Sequence, residues 1–157
     1  MTRIYLAAPF FNEEQCERER RCAIELRRLG YEVFAPFETG VLGPSDSLWK
    51  RAKIFQQNIN ILHLCDVCFV ITDGKDVGTI WEAGYASALR DTRIASGLTV
   101  RMPFIIYYCE TLGDNPFNVM LAQSADCVMT SFLELQKLPG ILANGGSRGR
   151  AYSGPVQ

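Results

Sequence analysis

The sequence predicts an α/β fold: a three-layer, doubly wound sandwich around a five-stranded parallel sheet of strand order 2-1-3-4-5. Predicted strands and helices alternate five times along the chain. The strands are continuous apolar runs, which is typical of a parallel sheet covered by helices on both faces. With 157 residues, 48% of them hydrophobic and 21% charged, the chain has the size and composition of one globular domain.

The first half of the chain contains three predicted strands and two predicted helices. Apolar runs predict the strands, and apolar positions at helical spacing predict the helices. The strands are expected at 4–8, 32–35 and 67–72, and the helices at 12–29 and 49–64. Residues 36–47 are rich in glycine, proline and polar side chains and predict a long loop, and loops of that length are often functional.

The second half continues the alternation. Helices are expected at 77–89, from Phe117 onward and at 131–138, and strands at 103–108 and 127–129. From Gly140 the chain is rich in glycine, serine and asparagine and shows no periodicity. The sequence therefore predicts a folded domain over 1–139 and an extended or disordered arm over 140–157.

Composition and charge disfavour several functions. The net charge of −1 does not suggest a nucleic-acid binder, and no run reaches the ~20 apolar residues of a membrane span. The first apolar run is too short for a signal peptide, so we expect a cytoplasmic protein whose six cysteines are reduced. His63 is the only histidine, and no second cysteine pair has ligand spacing. We therefore expect no metal and no organic cofactor.

Glu82 is the most unusual residue of the sequence. It is the only charged residue between Val77 and Leu89, in a predicted helix that is apolar on all sides and hence is buried or lies in a subunit interface. A buried glutamate is costly unless it is paired, and no lysine or arginine lies within a turn of it. Backbone donors or a distant partner could satisfy it. The alternative is that Glu82 serves chemistry.

Asp76 directly precedes this helix and is a natural N-cap. Capping does not exclude a function, because the first turn of the helix lies at the end of the sheet where ligands bind in such folds. Two carboxylates, one at the cap and one just over a turn inside the helix, can face one pocket. Such a pair suits attack at an anomeric carbon, with one group as nucleophile and the other assisting the departing group.

These residues resemble a family signature. The segment from Asp76 to Ala86, DVGTIWEAGYA, is similar to the pattern D-x-G-x-x-x-E-x-G-x-A of nucleoside 2-deoxyribosyltransferases. The segment IYLAAPFF at 4–11 resembles the first strand of that family and its following loop, and PFNVM at 116–120 resembles the family segment P-x-N-L-M. Asn58 matches a polar position on the substrate side. The resemblance extends from about 4 to 129.

The resemblance implies a role for each matching residue. Glu82 would be the nucleophile that forms a covalent deoxyribosyl-enzyme, Tyr5 would orient its carboxylate, and Asp76 would assist departure or return of the base. The expected substrate-binding residues are Phe11, Asn58, Gly78 and Asn118. Of these, Asn118 would bind the 5′-hydroxyl and Phe11 would pack on base or sugar. Apart from the resemblance, the small residue Gly78 allows close approach to the backbone. An aromatic rim is expected at the mouth of the pocket, formed by Phe10, Phe11, Phe37 and Trp81.

The expected activity is transfer of the 2-deoxyribosyl group from a 2′-deoxynucleoside to a free nucleobase by a homo-oligomeric enzyme of nucleoside salvage. The chain departs from the family at Asn58, where some relatives have aspartate, and in its tail after position 140. The loop at 8–12 has neither a basic side chain nor a hydroxyl group to hold a phosphate, which favours an unphosphorylated nucleoside. The alternatives are an N-glycoside hydrolase of nucleosides or their 5′-monophosphates, and a non-catalytic nucleotide sensor.

Overall fold

The computed structural model describes residues 1–98, 102–145 and 152–157. Five parallel strands form one sheet in the order β2-β1-β3-β4-β5, as the sequence predicts. The strands are β1 (Arg3–Ala7), β2 (Glu32–Phe34), β3 (Val67–Ile71), β4 (Phe104–Tyr108) and β5 (Cys127–Met129). The α/β fold and its strand order are thereby confirmed.

Six α-helices and one 3-10 helix connect and cover the strands in the described part of the chain. The α-helices are α1 (Glu13–Arg28), α2 (Pro36–Thr39), α3 (Leu48–Leu64), α4 (Val77–Ala95), α5 (Val119–Ser124) and α6 (Leu138–Ala143), and the 3-10 helix is Phe132–Lys137. Side-chain caps fix the starts of four of them: Asn12 caps α1, Ser47 caps α3, Asp76 caps α4 and Asn118 caps α5.

Alternating residues of β1 divide the core into two layers. Ile4 and Leu6 face the layer formed with α1, the 3-10 helix and α6. Tyr5 and Ala7 face the layer formed with α3, α4 and α5. Because successive side chains of a strand point to opposite faces, a one-residue shift of β1 would move Tyr5 away from α4.

A buried ion pair joins α4 to the residue that precedes β5. Arg90 Nη1 donates a hydrogen bond of 2.6 Å to Asp126 Oδ2, and both side chains are at most 1% exposed. Asp126 also accepts the Ile105 amide at 3.0 Å, and Arg90 donates to the Ser124 carbonyl. These bonds hold α4 in one position along the sheet.

The structure corrects four element boundaries. Helix α4 extends six residues beyond its predicted end, because the amphipathic segment after Leu89 continues it to Ala95. The predicted loop 36–47 begins with α2, where proline occupies the first turn. The predicted last helix at 131–138 is a 3-10 helix followed by α6.

The fourth correction concerns the predicted arm at 140–157. Helix α6 continues past Gly140 to Ala143, so the predicted boundary lies inside a helix. Val156 forms a parallel bridge with Phe117, and the Gln157 amide donates to the Phe117 carbonyl at 3.0 Å. The described end of the chain is therefore attached to the domain, while residues 146–151 of the predicted arm lie outside the described residues.

Within the described residues, the helices are all too short or too polar to cross a bilayer.

Candidate active site

The candidate site lies at the carboxyl edge of the sheet, where the loops after β1, β2, β3 and β4 meet the start of α4. This edge is formed by the carboxyl ends of short apolar strands, and the Asp73–Gly74 turn connects β3 to Asp76, the cap of α4. Gly74 adopts a φ of 91°, which is unfavourable for other residues, and a Cβ there would lie 2.5 Å from Gln15 Nε2. The glycine thus permits the close approach between this turn and α1.

Tyr5 and Glu82 form the centre of the site. Tyr5 is fully buried in β1, and its ring stacks on Phe34 with centroids 5.6 Å apart. Its hydroxyl donates a hydrogen bond of 2.6 Å to Glu82 Oε1 on α4. The sheet core therefore fixes the ring, and the ring fixes the carboxylate.

The environment raises the pKa of Glu82 to about 7. Burial is the largest cause, since removal from water disfavours the charged form, and the negative charge of Asp76 acts in the same direction. The hydroxyl of Tyr5 and the amide of Asn58 oppose both by stabilising the carboxylate. Above this pH the Glu82 carboxylate is mostly ionised, which is the state that a nucleophile requires.

Asp76 caps α4 and lies beside Glu82. Its Oδ2 accepts the Thr79 amide at 2.7 Å and the Thr79 hydroxyl at 2.9 Å. A Cβ at Gly78 would lie 3.1 Å from the same oxygen, so the glycine leaves the room that this cap needs. Among the described residues, Asp76 Oδ1 receives no hydrogen bond, which leaves it able to contact a substrate.

Asn58 reaches the site from α3, where it is partly buried. Its hydrogen bond lowers the pKa of Glu82, and its Oδ1 is buried without a partner among the described residues. The structure thus brings together Tyr5, Asn58, Asp76, Gly78 and Glu82.

Phe11 lies in an aromatic row at the edge of the site. Its ring is 71% exposed and stacks on Phe10 with centroids 5.4 Å apart, and Phe10 contacts Phe37 at 5.8 Å. The row formed by Phe10, Phe11 and Phe37 agrees with the aromatic rim expected from the sequence. Trp81, which was expected in that rim, instead stacks on Tyr85 and contacts Phe55 on the α3–α4 surface.

Asn118 lies apart from this group. Its Oδ1 accepts the amides of Met120 and Leu121 as the cap of α5. The residue lines a cavity of about 700 Å³ between the loops after β3 and β4, together with Asp73, Lys75 and Gln157. Glu82 and Tyr5 do not line this cavity, so within one chain the structure does not join Asn118 to the carboxylate.

Glu19 is a residue near this edge that the sequence analysis missed. It lies on α1, is 1% exposed, and its pKa is influenced by the charge of Glu82. Its signal in the sequence is its position one turn before the buried pair Cys22 and Ala23, on the apolar face of the helix. A glutamate on such a face is as unusual as Glu82 is in α4.

The described residues 1–98, 102–145 and 152–157 contain no cluster of histidine, cysteine, aspartate or glutamate with the geometry of a metal site. Carboxylates, amides and aromatic rings supply the chemistry of this edge.

Comparisons with known proteins identify the family and the fold of the chain. The sequence matches the family model for nucleoside 2-deoxyribosyltransferase over residues 4–129. The structure is similar to a 2-deoxyribosyltransferase from Bacillus psychrosaccharolyticus, with 22% identity, 99% of this chain and 100% of that chain covered, and a TM-score of 0.67. A search of curated protein sequences gave no significant match.

Two further solved structures share the fold. One is the CMP N-glycosidase BcmB of Clostridium botulinum, with 20% identity, 88% of this chain and 98% of that chain covered, and a TM-score of 0.55. The other is a conserved protein from Enterococcus faecalis V583, with 16% identity, 92% and 77% of the two chains covered, and a TM-score of 0.57.

Proposed function

The chain belongs to the nucleoside 2-deoxyribosyltransferase family, and from this premise we propose that it transfers the 2-deoxyribosyl group of a 2′-deoxynucleoside to a free nucleobase. The proposed setting is nucleoside salvage in the cytoplasm. The observation that supports it best is the 2.6 Å hydrogen bond that holds the Glu82 carboxylate against Tyr5. A carboxylate so placed, with a pKa of about 7, suits covalent attack on a sugar.

The reaction is a double displacement with retention. A carboxylate oxygen of Glu82 bonds to C1′ of the sugar, the C1′–N bond breaks, and its electron pair leaves with the base, which takes up a proton. A second base then bonds to C1′ through a ring nitrogen and releases its proton, and the bond to Glu82 breaks. Asp76 assists departure and return of the base from its place beside Glu82, and Tyr5 orients the carboxylate.

The substrate is an unphosphorylated nucleoside whose base stacks on aromatic side chains. The row of Phe10, Phe11 and Phe37 offers planar surfaces in the loops after β1 and β2, at the carboxyl edge of the sheet. The loop at 8–12, between β1 and α1, has no basic side chain that would pair with a 5′-phosphate. An acceptor base held by such rings attacks as an already oriented reactant, an advantage that water does not share.

The test is incubation with thymidine or deoxyinosine, with and without free adenine, followed by chromatography. We expect deoxyadenosine to form with adenine and free deoxyribose to appear slowly without it. Mass spectrometry should find a deoxyribosyl group on the peptide that contains Glu82. The variant Glu82→Ala should lack both the adduct and turnover. More than a few per cent of residual activity in that variant would remove Glu82 from the nucleophile role.

Hydrolysis of an N-glycosidic bond is the second candidate function, because the fold is shared with a CMP N-glycosidase. In that reaction water replaces the acceptor base. Titration of adenine separates the two candidates through the ratio of new nucleoside to free sugar. Free sugar in excess at every adenine concentration, or reaction of 5′-monophosphates alone, would support the hydrolase and contradict the transferase.

We also propose that the protein is a homo-oligomer. Large apolar side chains are exposed together along α3 and the start of α4, and surfaces of this kind commonly mediate association. They are Leu48, Trp49, Phe55, Val77 and Trp81. Light scattering should give a mass of at least twice the chain mass, and Phe55→Glu should lower it. Leu133→Glu, at an exposed position outside this surface, is the control. A monomeric mass for the unaltered protein would contradict the proposal.

A further inference from the structure

Two residues that interact electrostatically with Glu82 have buried polar atoms without a hydrogen-bond partner among the described residues. In the described part of the chain, three buried side-chain oxygens lack a hydrogen-bond partner: both carboxyl oxygens of Glu19 and Oδ1 of Asn58. The pKa values connect both residues with Glu82, since the Asn58 amide lowers that of Glu82 and the Glu82 charge raises that of Glu19. Buried polar groups are nearly always paired, so unpaired ones beside a reactive carboxylate point to a ligand.

The position of Glu19 agrees with this interpretation. One turn earlier on α1, Cys16 Sγ contacts the Phe10 carbonyl at 3.4 Å. The Phe37 amide lies close enough to Glu19 to favour its charged form. Phe10 and Phe37 each follow the carboxyl end of a strand, and their rings contact each other at 5.8 Å. Glu19 therefore lies where these two loops meet, at the same edge of the sheet as Glu82.

Glu19 is a neutral acid at pH 7. Burial, followed by the charges of Glu38 and Glu82, raises its pKa to about 8, against the opposing influence of Arg20 and the Phe37 amide. A protonated carboxyl group has one O–H donor and one C=O acceptor side by side. The edge of a nucleobase that carries a ring nitrogen beside an exocyclic amino group has the complementary pair, as in the N1 and N6 atoms of adenine.

We propose that Glu19 is a further substrate-binding residue, which donates its carboxyl hydrogen to a ring nitrogen of the nucleobase and accepts from the adjacent exocyclic amino group. This inference rests on the proposed function and names a group that recognises the base. A purely structural role explains the residue less well. Burial of this carboxyl outweighs the favourable influence of the Phe37 amide and Arg20, so it lowers stability, whereas leucine at the same position on the apolar face would not.

Two variants distinguish these roles. Glu19→Gln keeps one donor and one acceptor, whereas Glu19→Leu has neither. The measurement is the KM for adenine against that for unsubstituted purine, which lacks the amino group, as acceptors at pH 7. We expect the unaltered protein and Glu19→Gln to prefer adenine, and Glu19→Leu to lose about threefold to tenfold of that preference while melting no earlier. Glu17→Leu, at an exposed position on the same helix, is the control.

The pH dependence gives an independent measurement should Glu19→Leu not fold. Above pH 8 the ionised Glu19 cannot donate, so the unaltered protein should lose adenine preference there and Glu19→Gln should keep it. Parallel pH profiles, or an unchanged adenine preference in a folded Glu19→Leu, would overturn the proposal. Absence of new nucleoside with the unaltered protein contradicts the proposed function instead. In that case calorimetry can measure the binding of adenine and of purine to the unaltered protein and to the same variants, and this comparison needs no turnover.

Discussion

Replacement of Tyr5 by phenylalanine tests how the core sets the reactivity of Glu82. The variant keeps the ring that stacks on Phe34 and removes only the hydroxyl that donates 2.6 Å to Glu82 Oε1. Burial and the Glu82 charge hold the pKa of the Tyr5 hydroxyl far above its usual value, so this group remains a donor at every working pH. Loss of the Tyr5 hydroxyl therefore destabilises the ionised form of Glu82 relative to the neutral form.

The size of the effect follows from the charge on the acceptor. A hydrogen bond to a charged group contributes about 1.5–3 kcal/mol, and 1.36 kcal/mol corresponds to about one pH unit. Tyr5→Phe should therefore raise the pKa of Glu82 from its value of about 7 by roughly one to two pH units. At pH 6 the ionised fraction, and with it kcat/KM, should fall about tenfold to a hundredfold.

The assay is the pH profile of kcat/KM for base exchange between pH 5.5 and 10. Loss should be largest at acidic pH and shrink at alkaline pH, where Glu82 ionises in both proteins. Tyr107→Phe is the matched control, because it also removes a buried tyrosine hydroxyl, bonded to Ser124 at 3.0 Å, outside the Tyr5–Glu82 pair. A Tyr5→Phe profile that is lowered equally at every pH would refute the assigned role of the hydroxyl.

Three further predictions concern stability and cofactors. Glu82→Gln should abolish turnover yet raise the free energy of unfolding at pH 8 by about 2–3 kcal/mol. The reason is that a carboxyl group with a raised pKa stabilises the fold below pH 4.5 and loses that contribution as the pH rises through about 7. Equal melting curves of the variant and the unaltered protein at pH 8 would contradict this. Arg90→Met should cost about 3–5 kcal/mol by removing the buried ion pair that Arg90 forms with Asp126, which urea unfolding would measure. EDTA should leave the exchange rate unchanged, whereas loss of activity that a divalent ion restores would show that a metal takes part.

Most of the sheet and the residues at the centre of the candidate site could be predicted from the sequence. Continuous apolar runs identify buried parallel strands, and the single charge between Val77 and Leu89 singles out Glu82. The asparagine and aspartate caps mark helix starts because their side chains bond locally, so Asp76 was recognisable as both a cap and a neighbour of Glu82. These features depend on spacing along one element.

Features that depend on several elements were harder to infer. The end of α4 was misplaced because the segment after Leu89 is largely polar, so the apolar pattern does not show that the helix continues. Arg90, in this segment, is buried only together with Asp126, which is distant in sequence. Trp81 was assigned to the aromatic rim, yet helical geometry directs it toward Phe55 on α3. Glu19 acquires its significance from two loops that are distant in sequence, and no pattern within α1 alone shows where they meet.

The cap of α4 has a consequence for large-scale mutagenesis. Asp76 Oδ2 is committed to Thr79, while Oδ1 is free for substrate, so one side chain would serve folding and reactivity through different atoms. A selection for activity would score every substitution at this position as harmful, and it would not distinguish loss of the helix cap from loss of the contact with substrate. Asn would retain an acceptor for the cap without the negative charge, and Ala would retain neither. The difference in abundance and activity between Asp76→Asn and Asp76→Ala therefore separates the two contributions.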